Sequence, residues 1–145
     1  MTEYSAIVSL MDLSSHGVVA VIKNDNGEFL LLKEARAGKT SGLWAPPHGR
    51  CKPSDKDEAA TIIREVKEET SLTVAPVRKL YTQAADTKVA TVSFWLVDTP
   101  AGDINLNAES SASGWYSVRD ALALDLFPGT KAFFEKVLSG EISID

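Results

Sequence analysis

The sequence predicts an α/β fold in which helices cover a mixed β-sheet. Three observations carry that expectation. Apolar, β-branched runs recur in both halves of the chain, separated by turn residues. Residues 56–70 show a clear helical period. The elements follow in the order strands, helix, strands, helix, which suits a sheet with helices on both faces. At 145 residues, the chain is read as one domain, 1–145, with its own core.

The elements follow from local chemistry. Residues 17–23 (GVVAVIK) and 28–33 (EFLLLK) flank Asn24-Asp25-Asn26-Gly27, so they read as a β-hairpin. Residues 35–42 are small, polar and basic, as in a loop. Residues 43–49 (LWAPPHG) are rich in breakers and read as irregular or extended. Residues 56–70 form the best helix, capped by Ser54 or Asp55, with acids in the first turn where the helix dipole favours them. Ala59, Ile62, Ile63 and Val66 recur at helical spacing as a core stripe. Residues 72–82 and 89–97 read as strands joined by a polar loop around Asp86. Residues 114–118 form a short strand and 121–124 a short helical piece. Residues 130–138 form an amphipathic helix after Pro128-Gly129, ended by Gly140.

Composition excludes several classes. Hydrophobic residues make up 44% and charged residues 24%, values of an ordinary globular protein rather than a disordered chain or a coiled coil. A net charge of −5 argues against a binder of nucleic-acid polymers, which needs a basic face. It leaves a nucleotide substrate open, because metal ions neutralise phosphate locally. A lone cysteine, Cys51, fits a reducing cytoplasmic setting. No signal peptide is expected, and no apolar run reaches the roughly 18 residues needed to span a bilayer.

The chemistry centres on residues 56–70. At about 100° per residue, Glu65, Glu68 and Glu69 lie within about 100° of one another, expected opposite the apolar stripe, with Glu58 and Thr61 on the same acidic face. Like charges at these spacings cost a few tenths of a kcal/mol per pair. Solvent screening offsets this on an ordinary surface, and a bound divalent cation offsets it at a site. Carboxylates without nearby histidine or cysteine suit magnesium, manganese or calcium rather than zinc.

Arg64-Glu65-Val66-Lys67-Glu68-Glu69-Thr70-Ser71-Leu72 resembles the core of the Nudix box, G-x(5)-E-x(7)-R-E-U-x-E-E-x-G-U with U bulky and apolar. Trp44-Ala45-Pro46-Pro47-His48-Gly49 resembles the segment leading into the box, and the first hairpin and Gly114-Trp115-Tyr116-Ser117 also look like Nudix features. Three departures stand out. Ser71 replaces the final glycine, which makes the turn at the helix end less comfortable. His48 stands where many members have glycine. Five residues separate Gly49 from Asp55, but eight rather than seven separate Asp55 from Arg64. In strict register the upstream acid would be Lys56 and the glycine Arg50. A one-residue insertion near the helix start is inferred, with Asp55 or Glu58 supplying the acid.

The resemblance implies an α/β/α sandwich and a Nudix-type pyrophosphohydrolase. It would cleave a phosphate anhydride in a nucleoside diphosphate-linked small molecule, with Mg2+ (or Mn2+) and an attacking water. The alternative is a Nudix-fold nucleotide-binding or regulatory module. Glu65, Glu68 and Glu69 would be metal ligands, Arg64 would orient them, and Gly49 would allow close backbone approach. The general base is left open between Glu65 and a late acid such as Glu109. A homodimer is compatible with the family, and no membrane partner is expected.

Other residues keep two readings each. Lys33, Arg36 and Lys39 surround a loop and could contact phosphates or be solvated. His48 could bind phosphate or substrate, or be structural. Trp44 could stack on a base or pack beneath the loop. One of Tyr81, Phe94 and Trp95 could face the substrate. Phe127 and Pro128 shape a turn, Phe133 and Phe134 suit a core or interface, and His16 and Cys51 are read as incidental.

Overall fold

The computed structural model describes residues 15–85, 89–98 and 102–144; the expected loop around Asp86 lies outside them. The strands are β1 (His16–Ile22), β2 (Phe29–Glu34), β3 (Trp44–Ala45), β4 (His48–Arg50), β5 (Pro76–Ala84), β6 (Thr91–Val97) and β7 (Ser110–Tyr116). The helices are α1 (Glu58–Thr70), α2 (Val118–Leu122) and α3 (Pro128–Leu138).

Two sheets form. One has the order β4-β1-β6-β5, with β1 parallel to β6 and the other pairs antiparallel; the other is antiparallel, β3-β2-β7. The expected hairpin forms only at its turn. Asn24 N–H donates to Glu28 C=O at 2.9 Å, Gly27 takes φ 74°, and a single bridge joins Lys23 to Phe29. Beyond it the strands part into different sheets. Both are apolar on both faces, so each is driven between two covering layers rather than left as a half-exposed hairpin.

Those layers make the sandwich. On one side Ile62 and Val66 of α1 pack on Val18, Ala20, Ile22, Leu30 and Leu32. On the other, Phe133 and Phe134 of α3 pack with Ala121 of α2 on Val19, Val21, Phe29 and Leu31. Phe133 stacks on Phe94 with ring centroids 4.3 Å apart, so both phenylalanines are core.

Several expected boundaries move, each for a local reason. The cap of α1 is Asp57, which accepts the Ala60 N–H at 2.8 Å; neither Ser54 nor Asp55 caps it. Ile63 is 42% exposed while Thr61 and Thr70 are fully buried, so the core stripe runs through Thr61, Ile62, Val66 and Thr70. Residues 43–49, read as irregular or extended, are extended on either side of Pro46-Pro47, where β3 and β4 pair with β2 and β1. Leu72 and Val74 are buried without joining a ladder, so β5 starts at Pro76. β7 begins at Ser110, where Ser113 lies opposite Leu32; a hydroxyl-rich run hid it. α3 begins at Pro128, whose ring suits a first helical position.

Candidate active site

The site lies where β4, the second half of α1 and the turn before β7 meet the end of β2. At about 100° per residue, Glu69 falls about 20° from Ile62 on the helix wheel. It therefore flanks the core stripe instead of opposing it, and it is 4% exposed. Glu65 is half-buried, whereas the Glu68 side chain is 48% exposed. The three glutamates do not share one solvent face.

β4 supplies the opposite wall. His48 N–H donates to Glu69 Oε2 at 3.1 Å. A Cβ on Gly49 would stand 2.0 Å from Glu65 Cδ. Glycine at 49 is therefore needed for the Glu65 carboxyl to lie against the backbone. His48 Nδ1 donates to Pro46 C=O at 2.8 Å, and its ring meets Phe127 edge-on at 5.2 Å. Burial pushes the imidazole pKa down, which keeps it neutral.

Arg64 organises the near side. Its Nε and Nη2 donate to Asp55 at 2.9 and 2.8 Å, Nη2 also to Arg50 C=O at 3.0 Å, and Nη1 to Glu65 Oε1 at 2.7 Å. Glu68 is more distant, 3.4 Å from Nη1. Asp55 also accepts from Thr61 Oγ1 at 2.8 Å. Of the two acids, Asp55 is the one that meets Arg64, and the Arg64 hydrogen bonds hold its carboxyl well below the usual range. Glu58 turns away to His16, Lys79 and Trp95.

On the far side, Arg36 reaches Glu34 with Nε and Nη2 and Glu109 with Nη1 at 2.8 Å. Asn107 Nδ2 bridges Glu109 Oε2 and the Glu68 C=O, each at 3.1 Å. Lys33 is not brought here: alternation along β2 puts it with Phe29 and Leu31, facing the α2/α3 layer. Trp44 packs edge-on against Tyr116 at 5.6 Å, and Trp95 donates to Glu58 at 2.8 Å. Ser71 adopts the left-handed turn expected of the glycine it replaces, φ 69°, with its N–H on Lys67 C=O at 3.0 Å. Glu34 and Asn107 were missed. For Glu34 the signal was present: a charged residue two after Leu32, in a row otherwise buried.

The electrostatics are those of an acid cluster short of positive charge. Burial lifts Glu69 well above the ordinary carboxyl range, and repulsion from Glu65 and Glu109 adds to it. Burial also raises Glu65, despite Arg64. Among the described residues no three His, Cys, Asp or Glu side chains converge as a ready metal cluster. The donor set nevertheless fits a hard cation: all-oxygen ligands, and a buried carboxylate with one hydrogen-bond donor.

Known proteins share this fold. Residues 14–137 match the NUDIX domain. The chain is similar to the MutT protein from Methanosarcina mazei Go1 (28% identity, TM-score 0.73, covering 87% of this chain and 94% of that one). It is similar to an ADP-ribose pyrophosphatase from Streptococcus suis (26% identity, TM-score 0.70, 88% and 92% covered). It is also similar to an Ap4A hydrolase from C. elegans (25% identity, TM-score 0.69, 88% and 97% covered).

Proposed function

The chain belongs to the NUDIX family, and from that premise we propose that it hydrolyses a phosphate anhydride bond in a nucleoside diphosphate-linked small molecule, with Mg2+ or Mn2+. The observation that carries this reading is Glu69, a buried carboxylate with a single hydrogen-bond donor among the described residues, set beside Glu65 and Glu109. An isolated buried charge costs several kcal/mol, so the arrangement calls for a counter-cation. Relatives named as an ADP-ribose pyrophosphatase and an Ap4A hydrolase support the substrate class.

Glu65, Glu68 and Glu69 would hold the ion. When bound, it would neutralise phosphate charge and lower the pKa of a water. Arg64, anchored by Asp55, fixes Glu65 and leaves Glu68, exposed and loosely held, free to turn toward the site. Arg36 presents a guanidinium to the substrate phosphates, and His48 and Gly49 line the wall beside them. The proton of the water would go to Glu65, which Arg64 holds, or to Glu109, which Arg36 and Asn107 hold. The whole chain, 1–145, would act as one such domain. A cytoplasmic setting is part of the same reading, supported by the lone, buried Cys51; among the described residues no helix is long and apolar enough to cross a membrane.

The test is a hydrolysis screen with magnesium across nucleoside triphosphates, nucleotide sugars, dinucleoside polyphosphates and ADP-ribose, reading released phosphate or pyrophosphate. Glu68→Gln and Glu69→Gln should each lower the rate by about two to three orders of magnitude with the fold intact, the scale of a lost electrostatic contact at a reacting centre. Full magnesium-dependent activity in both variants would refute these roles. Binding of nucleotides without turnover would leave a binding or regulatory module.

A further inference from the structure

Glu34 is a charged residue in a core row. Leu30, Leu32 and Glu34 alternate along β2 with exposures of 0%, 5% and 8%, and the two leucines pack against α1. A carboxylate so buried needs a partner. Among the described residues its side chain bonds only Arg36, which approaches with its backbone N–H at 3.3 Å, Nε, and Nη2 at 3.3 Å. The grip is two-pronged on a planar fork, a geometry that fixes direction as well as distance.

That grip decides where Arg36 points. Its side chain is 54% exposed, and an arginine so exposed ordinarily samples many rotamers. Here Nη1 is carried to Glu109 at 2.8 Å, and Ala35 N–H donates to Glu109 C=O at 2.9 Å. A guanidinium has five N–H donors. Three are used by Glu34 and Glu109, which leaves two without a protein acceptor among the described residues, on a side chain that is more than half exposed. The charge is close enough to ease the proton affinity of Glu69.

We propose that Glu34 is a positioning residue that holds the Arg36 guanidinium at the rim of the glutamate site, where its free N–H groups receive the substrate's phosphates. The inference rests on the hydrolase reading above. Glu34 touches no substrate; it pre-organises the group that does, and so acts on affinity.

The test combines Glu34→Gln, Arg36→Ala and the double variant. Arg36→Ala should raise KM by about 10- to 100-fold, the range for a charge-assisted hydrogen-bond contact. Glu34→Gln should raise KM about tenfold with kcat within about twofold, a loss of binding rather than of chemistry. In the Arg36→Ala background, Glu34→Gln should change KM no further. Glu34→Asp, which keeps the charge, serves if the glutamine variant fails to fold, and should fall between wild type and Arg36→Ala. The same series is titrated calorimetrically with ADP and magnesium. This separates the two readings: a wild type that turns over no nucleotide but binds ADP through Glu34 and Arg36 refutes hydrolysis alone. Wild type that does not bind ADP, affinity unmoved by either variant, or a Glu34 effect that persists without Arg36 overturns the positioning role.

Discussion

The two ends of α1 carry the same residue on the same face and treat it in opposite ways. Glu58, Glu65 and Glu69 lie within about 40° of one another on the helix wheel. At the N-terminal end, Glu58 accepts from Trp95 Nε1 at 2.8 Å and Lys79 Nζ at 3.0 Å, with His16 Nε2 at 3.4 Å. Burial alone would lift its carboxyl. The bonds from His16, Trp95 and Lys79 outweigh that and bring it to about 2. At the other end Glu69, more deeply buried, has among the described residues one backbone donor and two acidic neighbours, and its carboxyl moves the other way. Hydrogen bonds to a charged group contribute about 1.5–3 kcal/mol each, so several donors can offset Glu58's desolvation and one cannot offset Glu69's. The first end is finished as structure. The second leaves a buried carboxyl under-compensated.

Exchanging charge for amide at each end gives the sharpest break. Without metal, Glu69→Gln should be at least as stable as wild type, because it removes an under-compensated buried charge, while nucleotide hydrolysis falls by about two to three orders of magnitude. Glu58→Gln should do the reverse: a loss of about 1–3 kcal/mol in denaturant unfolding, with hydrolysis within about threefold of wild type. If the stability loss fell at Glu69 and the activity loss at Glu58, the division of the helix would be wrong.

A smaller effect is expected at Gly49. An added methyl would stand 2.0 Å from Glu65 Cδ, so the carboxyl must move by an ångström or more. Gly49→Ala should reduce hydrolysis by about a hundredfold, the scale of a misplacement of that size. Steady-state kinetics beside a thermal melt would check it. Normal turnover would mean that Glu65 does not act from the position it occupies here.

How much of this was legible follows from which signals are local. The sandwich was readable because strands buried on both faces and a periodic helix leave few other ways to hide apolar surface. The pairing of β1 with β6 was not, since 75 residues separate His16 from its partner Thr91 and only the assembled core selects it. Within the site, Arg64, Glu65, Glu68 and Glu69 are contiguous and were named. Their burial does not follow from apolar spacing, because Ile63 points to one stripe and the buried side runs through Thr61 and Thr70. Hydroxyls there are hidden by bonds to Asp55 and to the Val66 C=O, which an apolar-residue count does not register. Asp55 and Glu58 could not be told apart from spacing, because both precede Arg64 within about three turns. The fold decides by placing Trp95 and Lys79 beside one and Arg64 beside the other.

The smallest effect concerns acid stability and isolates the N-terminal end. The Glu58 carboxyl sits near 2 in the folded protein, against an ordinary 4.5. Its contribution is therefore fully present above about pH 4.5 and is lost as pH falls toward 2. A shift of that size would convert to more than 3 kcal/mol at about 1.4 kcal/mol per unit. The Lys79 side chain is 46% exposed, however, so solvent screens part of the interaction, and about 1–2 kcal/mol is expected. Urea unfolding measured at intervals between pH 5 and 2 should show wild type losing that increment and Glu58→Gln not losing it. Glu69→Gln should retain the wild-type slope in this window, since the acid loss belongs to a carboxylate whose charged form the fold favours, and Glu69 is not one. Equal slopes for wild type and Glu58→Gln would mean that the donors around Glu58 do not offset its burial, and the contrast between the two ends of α1 would then rest on Glu69 alone.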